Sequence, residues 1–157
     1  MKRFLSLAGV LLVLGCARVF AFGVGLQGGL GIGNTTSGSG AVTFKLDGVP
    51  CVFAVSVPSF NPFAVGVTAD WWIGNPVIQN SWHWFYGVGL AGAVYFSDSA
   101  ASVSVGARAL IGTDVFLLKD VLEFYAQVAW QPMIVLTNGI NPNLFNIPID
   151  LGFRFWF

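Results

Sequence analysis

Trp82-His-Trp-Phe-Tyr-Gly-Val-Gly-Leu-Ala-Gly-Ala-Val-Tyr-Phe-Ser97 is the stretch on which the fold turns. Alternate residues from its first position are Trp82, Trp84, Tyr86, Val88, Leu90, Gly92, Val94 and Phe96. Those between them are His83, Phe85, Gly87, Gly89, Ala91, Ala93, Tyr95 and Ser97. One set is bulky and apolar, and the other is mostly small or polar. A repeat of two marks a β-strand with a different environment on each face.

The same alternation recurs downstream. Residues 101–117 place Val103, Val105, Ala107, Ala109, Ile111 and Val115 opposite Ser102, Ser104, Gly106, Arg108, Gly112 and Asp114. Residues 122–136 place Leu122, Phe124, Ala126, Val128, Trp130, Ile134 and Leu136 opposite Glu123, Tyr125, Gln127 and Gln131. The final segment sets Phe145, Ile147, Ile149, Leu151, Phe153, Phe155 and Phe157 against Asp150, Gly152, Arg154 and Trp156. Two stretches free of formal charge, Gly48 to Ala69 and Trp71 to Ser97, have the hydropathy of membrane helices. Pro50, Pro58, Pro62, Pro76 and the alternating glycines argue against helix in both.

Composition says what surrounds such strands. Hydrophobic residues make up 55% of the 157-residue chain and charged residues 9%. Soluble domains carry roughly 25% charged residues, so a water-facing surface is hard to build here. A soluble sandwich or lipocalin-like barrel would turn a densely charged face outward. Here the less apolar face is glycine, alanine, glutamine and isolated charges, as expected of a barrel interior with lipid outside. Only helices and closed barrels satisfy their backbone hydrogen bonds within a bilayer. The expected fold is therefore all-β, a closed antiparallel transmembrane β-barrel of about eight strands.

Residues 1–21 read as an export signal, with the barrel occupying 22–157. Lys2 and Arg3 form a basic start, Phe4 to Leu14 an apolar run, and Val19-Phe20-Ala21 a cleavage site. The run is shorter than the roughly 20 residues needed to span a bilayer. Val13-Leu14-Gly15-Cys16 also resembles a lipobox, with valine in place of the preferred leucine, so lipidation of Cys16 is the alternative. N-terminal sequencing of the processed protein should begin at Phe22, whereas palmitate labelling at Cys16 would establish the lipoprotein. Removing Lys2, Arg3 and Arg18 leaves four basic side chains against seven acidic ones, a net charge of −3. No basic patch for nucleic acid remains. Cys51 becomes the only cysteine, which excludes an internal disulfide or a Cys/His metal site.

Strands are expected at 22–33, 41–47, 51–57, 63–74, 82–97, 101–117, 122–136 and 145–157. An even number places both termini at the periplasmic rim. Outward aromatics then gather at that rim as a girdle of Trp71, Trp84, Tyr86, Phe124, Phe155 and Phe157.

The segments Trp84-Phe-Tyr-Gly-Val-Gly, Val105-Gly-Ala-Arg108, Leu122-Glu-Phe-Tyr and Asp150-Leu-Gly-Phe-Arg-Phe-Trp-Phe157 resemble a family of small spirochaetal outer-membrane barrels of uncharacterised function. The architecture is similar to that of OmpA/OmpX-type eight-stranded barrels. The terminal segment looks like the signal read by the outer-membrane barrel-assembly machinery, alternating apolar residues ending on the aromatic Phe157. The resemblance covers about half the chain and implies a bacterial outer-membrane surface protein, partnered by outer-membrane lipid and that machinery.

With the apolar face outward, the interior receives a polar network of Lys45, Asp70, Arg108, Asp114, Glu123, Gln127, Gln131, Asp150 and Arg154, with Gln27. Charges in a narrow lumen must be paired or hydrated, because an isolated buried ion costs several kcal/mol. A salt-bridge and glutamine plug is the expectation, since eight strands enclose little more than their own side chains. Arg154 is expected to bond Glu123 or Asp150, unless it lies hydrated at the mouth. Gly23, Gly25, Gly29, Gly31 and Gly33 face inward on the first strand. They either admit large residues such as Trp72, Tyr125 or Trp156, or leave a cavity. His83, the only histidine, has Asp70 as a possible neighbour and Ser81 as a possible nucleophile, but no motif supports a catalytic set. No enzyme activity, cofactor or metal is expected. A structural or surface-interaction barrel is the first reading of function. A narrow, porin-like channel for ions or small hydrophobic molecules is the alternative.

Overall fold

The computed structural model describes residues 21–33, 36–60, 63–96, 101–136 and 139–157. Residues 1–20, which hold Cys16 and all but the last residue of the expected export signal, and residues 34 and 35 lie outside them. Eleven strands run β1 (Phe22–Gly33), β2 (Ser37–Leu46), β3 (Cys51–Phe60), β4 (Phe63–Gly74), β5 (Val77–Gln79), β6 (Trp82–Phe96), β7 (Ala101–Leu117), β8 (Leu122–Trp130), β9 (Met133–Leu136), β10 (Ile140–Asn143) and β11 (Asn146–Trp156). Neighbours pair antiparallel, and β1 pairs with both β2 and β11. The sheet thus closes on itself as an eight-staved barrel. β8 with β9 forms one stave and β10 with β11 another, while β5 is a short addition beside β6.

Several boundaries differ from those read in the sequence. β2 starts at Ser37 rather than residue 41, because Ser37 and Gly38 continue the ladder opposite Gly31 and Leu30. β3 runs on to Phe60 rather than 57, through a register shift between Ser56 and Ser59. A bulge absorbs Pro58, which has no N–H to give the ladder. The seventh stave is broken at Gln131-Pro132 for the same reason, although Gln131 N still donates to Asn146 O at 2.8 Å. The connection at 137–144 contains β10, and the one at 74–81 contains β5.

The staves are staggered. The path starts at Phe22, passes Leu46, Cys51, Trp71, Val88, Ala109 and Trp130, and re-enters β1 from Ile147 at Ile32. That is ten residues farther along, with the β2–β3 and β8–β11 registers continued one and two steps. Such a stagger requires strands tilted by about 40° to the barrel axis, so residues far apart in sequence share one depth. The turns at the rim that carries the termini are tight. Gly48 adopts φ +71° in the Asp47-Gly48 turn, where its N–H donates to Asp47 Oδ1 at 2.9 Å. Leu118, Lys119 and Asp120 are three successive left-handed residues between β7 and β8.

Side-chain parity follows the sequence alternation on every stave. Leu26, Leu30, Val55, Val67, Val88, Leu90, Val105, Ile111, Val128 and Leu151 stand exposed on the outer wall, Leu90 at 68%. This is the reverse of the lipocalin arrangement. Trp71, Trp84, Tyr86, Phe124, Phe155 and Phe157 are also exposed, on the ends of the staves nearest the termini. Phe44, Phe53, Trp82 and Phe153 extend that band. Toward the far rim Phe63 stacks on Phe96 at 6.2 Å, and Trp130 Nε1 donates to Leu144 O at 3.0 Å.

Candidate functional site: the barrel lumen

Inward-facing residues form two bonded layers and, above them, a cavity. The layer nearest the termini is built on Glu123, which is fully buried. Arg154 Nη1 donates to Glu123 Oε1 at 2.6 Å, Trp156 Nε1 donates to Oε2 at 2.8 Å, and Lys45 Nζ lies 3.6 Å from Oε1. Arg154 Nε donates to Thr43 Oγ1 at 3.1 Å. Both cations also lie over aromatic faces. Lys45 Nζ is 3.8 Å from the Trp72 ring centre, and the Arg154 guanidinium is 3.9 Å from that of Tyr125. The negative face of an aromatic ring attracts a cation, by about 2 kcal/mol where both are desolvated. Trp72 in turn stacks on Phe85 at 3.7 Å with planes 6° apart. Val52 and Leu110 complete the apolar packing, and Tyr125 donates its hydroxyl to Gln27 Oε1 at 2.7 Å. Every stave of the wall contributes a side chain to this layer.

The second layer centres on Arg108. Its Nε lies 3.0 Å from Asp70 Oδ1, its Nη1 donates to Gln131 Oε1 at 2.6 Å, and its Nη2 is 3.8 Å from Asp150 Oδ2. Gln127 Nε2 donates to the same Asp150 oxygen at 3.0 Å. Glycine makes room for both acids. A Cβ at Gly89 would collide with Asp70 Oδ1, and one at Gly29 with Asp150 Oδ1.

Beyond Arg108, toward the far rim, the side chains become small. Ser39, Ser56, Thr68, Ser104 and their neighbours surround a cavity of about 190 Å³ whose floor carries Arg108, Gln131 and Asp150. The inward glycines of β1 thus divide by depth. Gly23 lies against the Trp156 ring and Gly25 against the β11 backbone at Phe153, whereas Gly31 and Gly33 line the cavity. Of the large residues expected over these glycines, Trp156 alone meets one. Trp72 packs on Phe85, and Tyr125 covers Gly152 on β11.

Lys45, Asp70, Arg108, Asp114, Glu123, Gln127, Asp150 and Arg154 are buried in the lumen, and Gln131 is partly so. They separate into a Lys45–Glu123–Arg154 group and an Asp70–Arg108–Asp150 group with both glutamines. Asp114 belongs to neither directly. It lies 3.4 Å from His83 Nδ1, and Phe116 meets that imidazole edge-on at 5.7 Å. One open alternative closes here, and one expectation is corrected. Arg154 takes Glu123 rather than Asp150, and being fully buried it is no hydrated mouth residue. The acid beside His83 is Asp114 rather than Asp70, which Arg108 holds. Among the described residues no group of three or more metal-ligating side chains comes together. Thr43, Phe85 and Ser104 were not singled out in the sequence, and Trp72 was expected over the β1 glycines and not on Phe85. Strand parity places all four inward, but which inward residues meet across the lumen depends on the ten-residue stagger.

No family model matches the sequence, and no curated protein does. Among solved structures the chain is similar to the N-terminal β-barrel domain of OprF from Pseudomonas aeruginosa, with a TM-score of 0.55 and 15% identity. That match covers 86% of this chain and 97% of the other. A major outer membrane protein from Thermus thermophilus matches at a TM-score of 0.33 and 11% identity, covering 87% and 99%. The fold is an all-β, closed antiparallel eight-stranded barrel, similar to that of the OprF domain.

Proposed function

We propose that this chain is an integral bacterial outer-membrane barrel, exported by a cleaved signal, whose role is structural or one of surface interaction and whose lumen does not conduct. The layer of Lys45, Trp72, Phe85, Glu123, Tyr125 and Arg154 across the bore carries this reading. An ion passing it would have to separate a buried carboxylate from its cations and then push apart a pair of stacked rings. The apolar outer wall supports lipid as its surroundings, and the alternating strand that ends at Phe157 supports delivery by the barrel-assembly machinery. The quoted motifs around Trp84, Arg108, Glu123 and Arg154 support a place among small spirochaetal barrels. Catalysis is not included: the one histidine lies near the rim that carries the termini, against Asp114 and Phe116.

The far half of the lumen, open and lined with hydroxyls, favours a second reading as a narrow channel. Planar-bilayer recording tests the two. The wild-type barrel should insert without resolvable current steps, and Trp72→Ala with Phe85→Ala should create them. Discrete steps from the wild type would sink the closed-lumen reading and leave the channel.

A further inference from the structure

The cavity above Arg108 has the makings of a binding site, and its chemistry is unlike that of the layer below it. Hydroxyls dominate its wall: Ser39 on β2, Ser56 on β3, Thr68 on β4 and Ser104 on β7. A hydroxyl both donates and accepts, so such a wall suits a partner that does the same. The charges on the floor are already committed. Arg108 faces Asp150 and donates to Gln131, and behind it Asp70 takes the guanidinium Nε at 3.0 Å. No unpaired guanidinium is left for an anion. Apart from Arg108 Nε, which is ion-paired with Asp70 without a hydrogen bond, two atoms of the lining are unsatisfied. Ser104 Oγ, on a fully buried side chain, and Asn143 Oδ1 both lack a hydrogen-bond partner. A buried polar atom without a partner costs about 1–3 kcal/mol, which a suitable guest would recover.

Size narrows the choice. A volume of 190 Å³ equals the share of about six water molecules in the liquid. That is the bulk of one pentose or small polyol, and well below the usual drug-sized pocket. The site is blind, because the stacked layer closes the lumen beneath it. We infer that the outer half of the lumen is a binding site for a small, neutral, polyhydroxylated molecule such as a monosaccharide, held by the hydroxyls of Ser39, Ser56, Thr68 and Ser104. This inference rests on the closed-lumen reading for its blind floor, and on the cavity wall for everything else.

The test uses the refolded barrel in detergent micelles, xylose as probe, and methylammonium and phosphate as charged controls. Amide shifts are followed by NMR. Xylose should produce saturable shifts at Ser39, Ser56 and Ser104, and neither control should. Ser104→Val keeps the shape and removes one hydroxyl, and should weaken binding about fivefold to tenfold. Ala93→Leu pushes bulk into the cavity from β6 and should abolish binding, with folding checked for both variants by heat-dependent gel mobility. Should Ala93→Leu fail to fold, Ser104→Val decides alone, and unchanged xylose affinity in it overturns the site. Shifts that never saturate, or that phosphate or methylammonium reproduces, overturn it too. Current recordings on the same preparation keep the two ideas apart. Xylose binding by a conducting barrel would uphold the cavity and defeat the closed lumen. A silent barrel that ignores xylose would do the opposite.

Discussion

Glu123→Ala should be the most damaging single substitution in the lumen, lowering barrel stability by about 3–5 kcal/mol. One carboxylate there answers three donors, from Arg154, Trp156 and Lys45. Its loss strands two buried cations, Arg154 fully inaccessible and Lys45 9% exposed. Arg154→Ala should hurt less, because Lys45 and Trp156 still face the remaining acid. Replacing Arg154 and Glu123 together with Met and Leu should recover much of the loss, since a buried pair often contributes little beyond an apolar pair of similar size. Urea unfolding in lipid vesicles, followed by tryptophan fluorescence, ranks the four proteins. If Glu123→Ala unfolds at the wild-type urea concentration, the layer is not held by its charges.

Leu90→Arg on the outer wall should cost about 2–4 kcal/mol, the range for a cation at the midplane of a membrane barrel. Leu90 sits on β6 between Ala69 and Ala107, well away from the aromatic band and therefore near mid-height. Val88→Arg, two residues nearer that band, should cost less as its side chain reaches the headgroups. Ala91→Arg points the same group into the hydroxyl-lined cavity, with Asp150 on its floor, and should be milder than Leu90→Arg. The same vesicle-based unfolding applies. If Ala91→Arg proves the more harmful of the two, the outer wall does not face lipid.

The period-two pattern made the strand faces legible, because an apolar outer wall and a polar, small-residue interior impose opposite demands on neighbouring residues. Leu90 and Ala91 could therefore be told apart from sequence, as could the inward placement of Glu123 and Arg154. Strand ends were less legible wherever proline intervened. Pro58 sits in a bulge within β3 and Pro132 interrupts a stave, and the chain itself does not distinguish those outcomes. Partners on neighbouring staves were the least legible. Arg154 had two acids within plausible reach, and the register of β8 on β11, which sets Glu123 directly opposite it, decides between them. His83 was read beside Asp70, whereas the register of β6 on β7 sets Asp114 directly opposite it. The cavity was half visible. Five alternate glycines on β1 announced missing volume, but only depth decides which of them a neighbour fills.

Closure through β1 and β11 has a consequence for the order of assembly. Every other seam joins strands that follow one another closely along the chain, so each of those hairpins is available as soon as its own residues are. The last seam joins Phe22–Gly33 to Asn146–Trp156, with Phe22 and Phe157 exchanging backbone hydrogen bonds at 3.0 and 3.3 Å. No portion of that seam exists until Asn146 and the residues after it have been delivered. Until then the growing sheet carries two unpaired edges, which a bilayer interior does not tolerate. Assembly is therefore gated by its last step. A chain stopped before Asn146 would hold nearly all of its hairpins and still lack the seam that closes the wall.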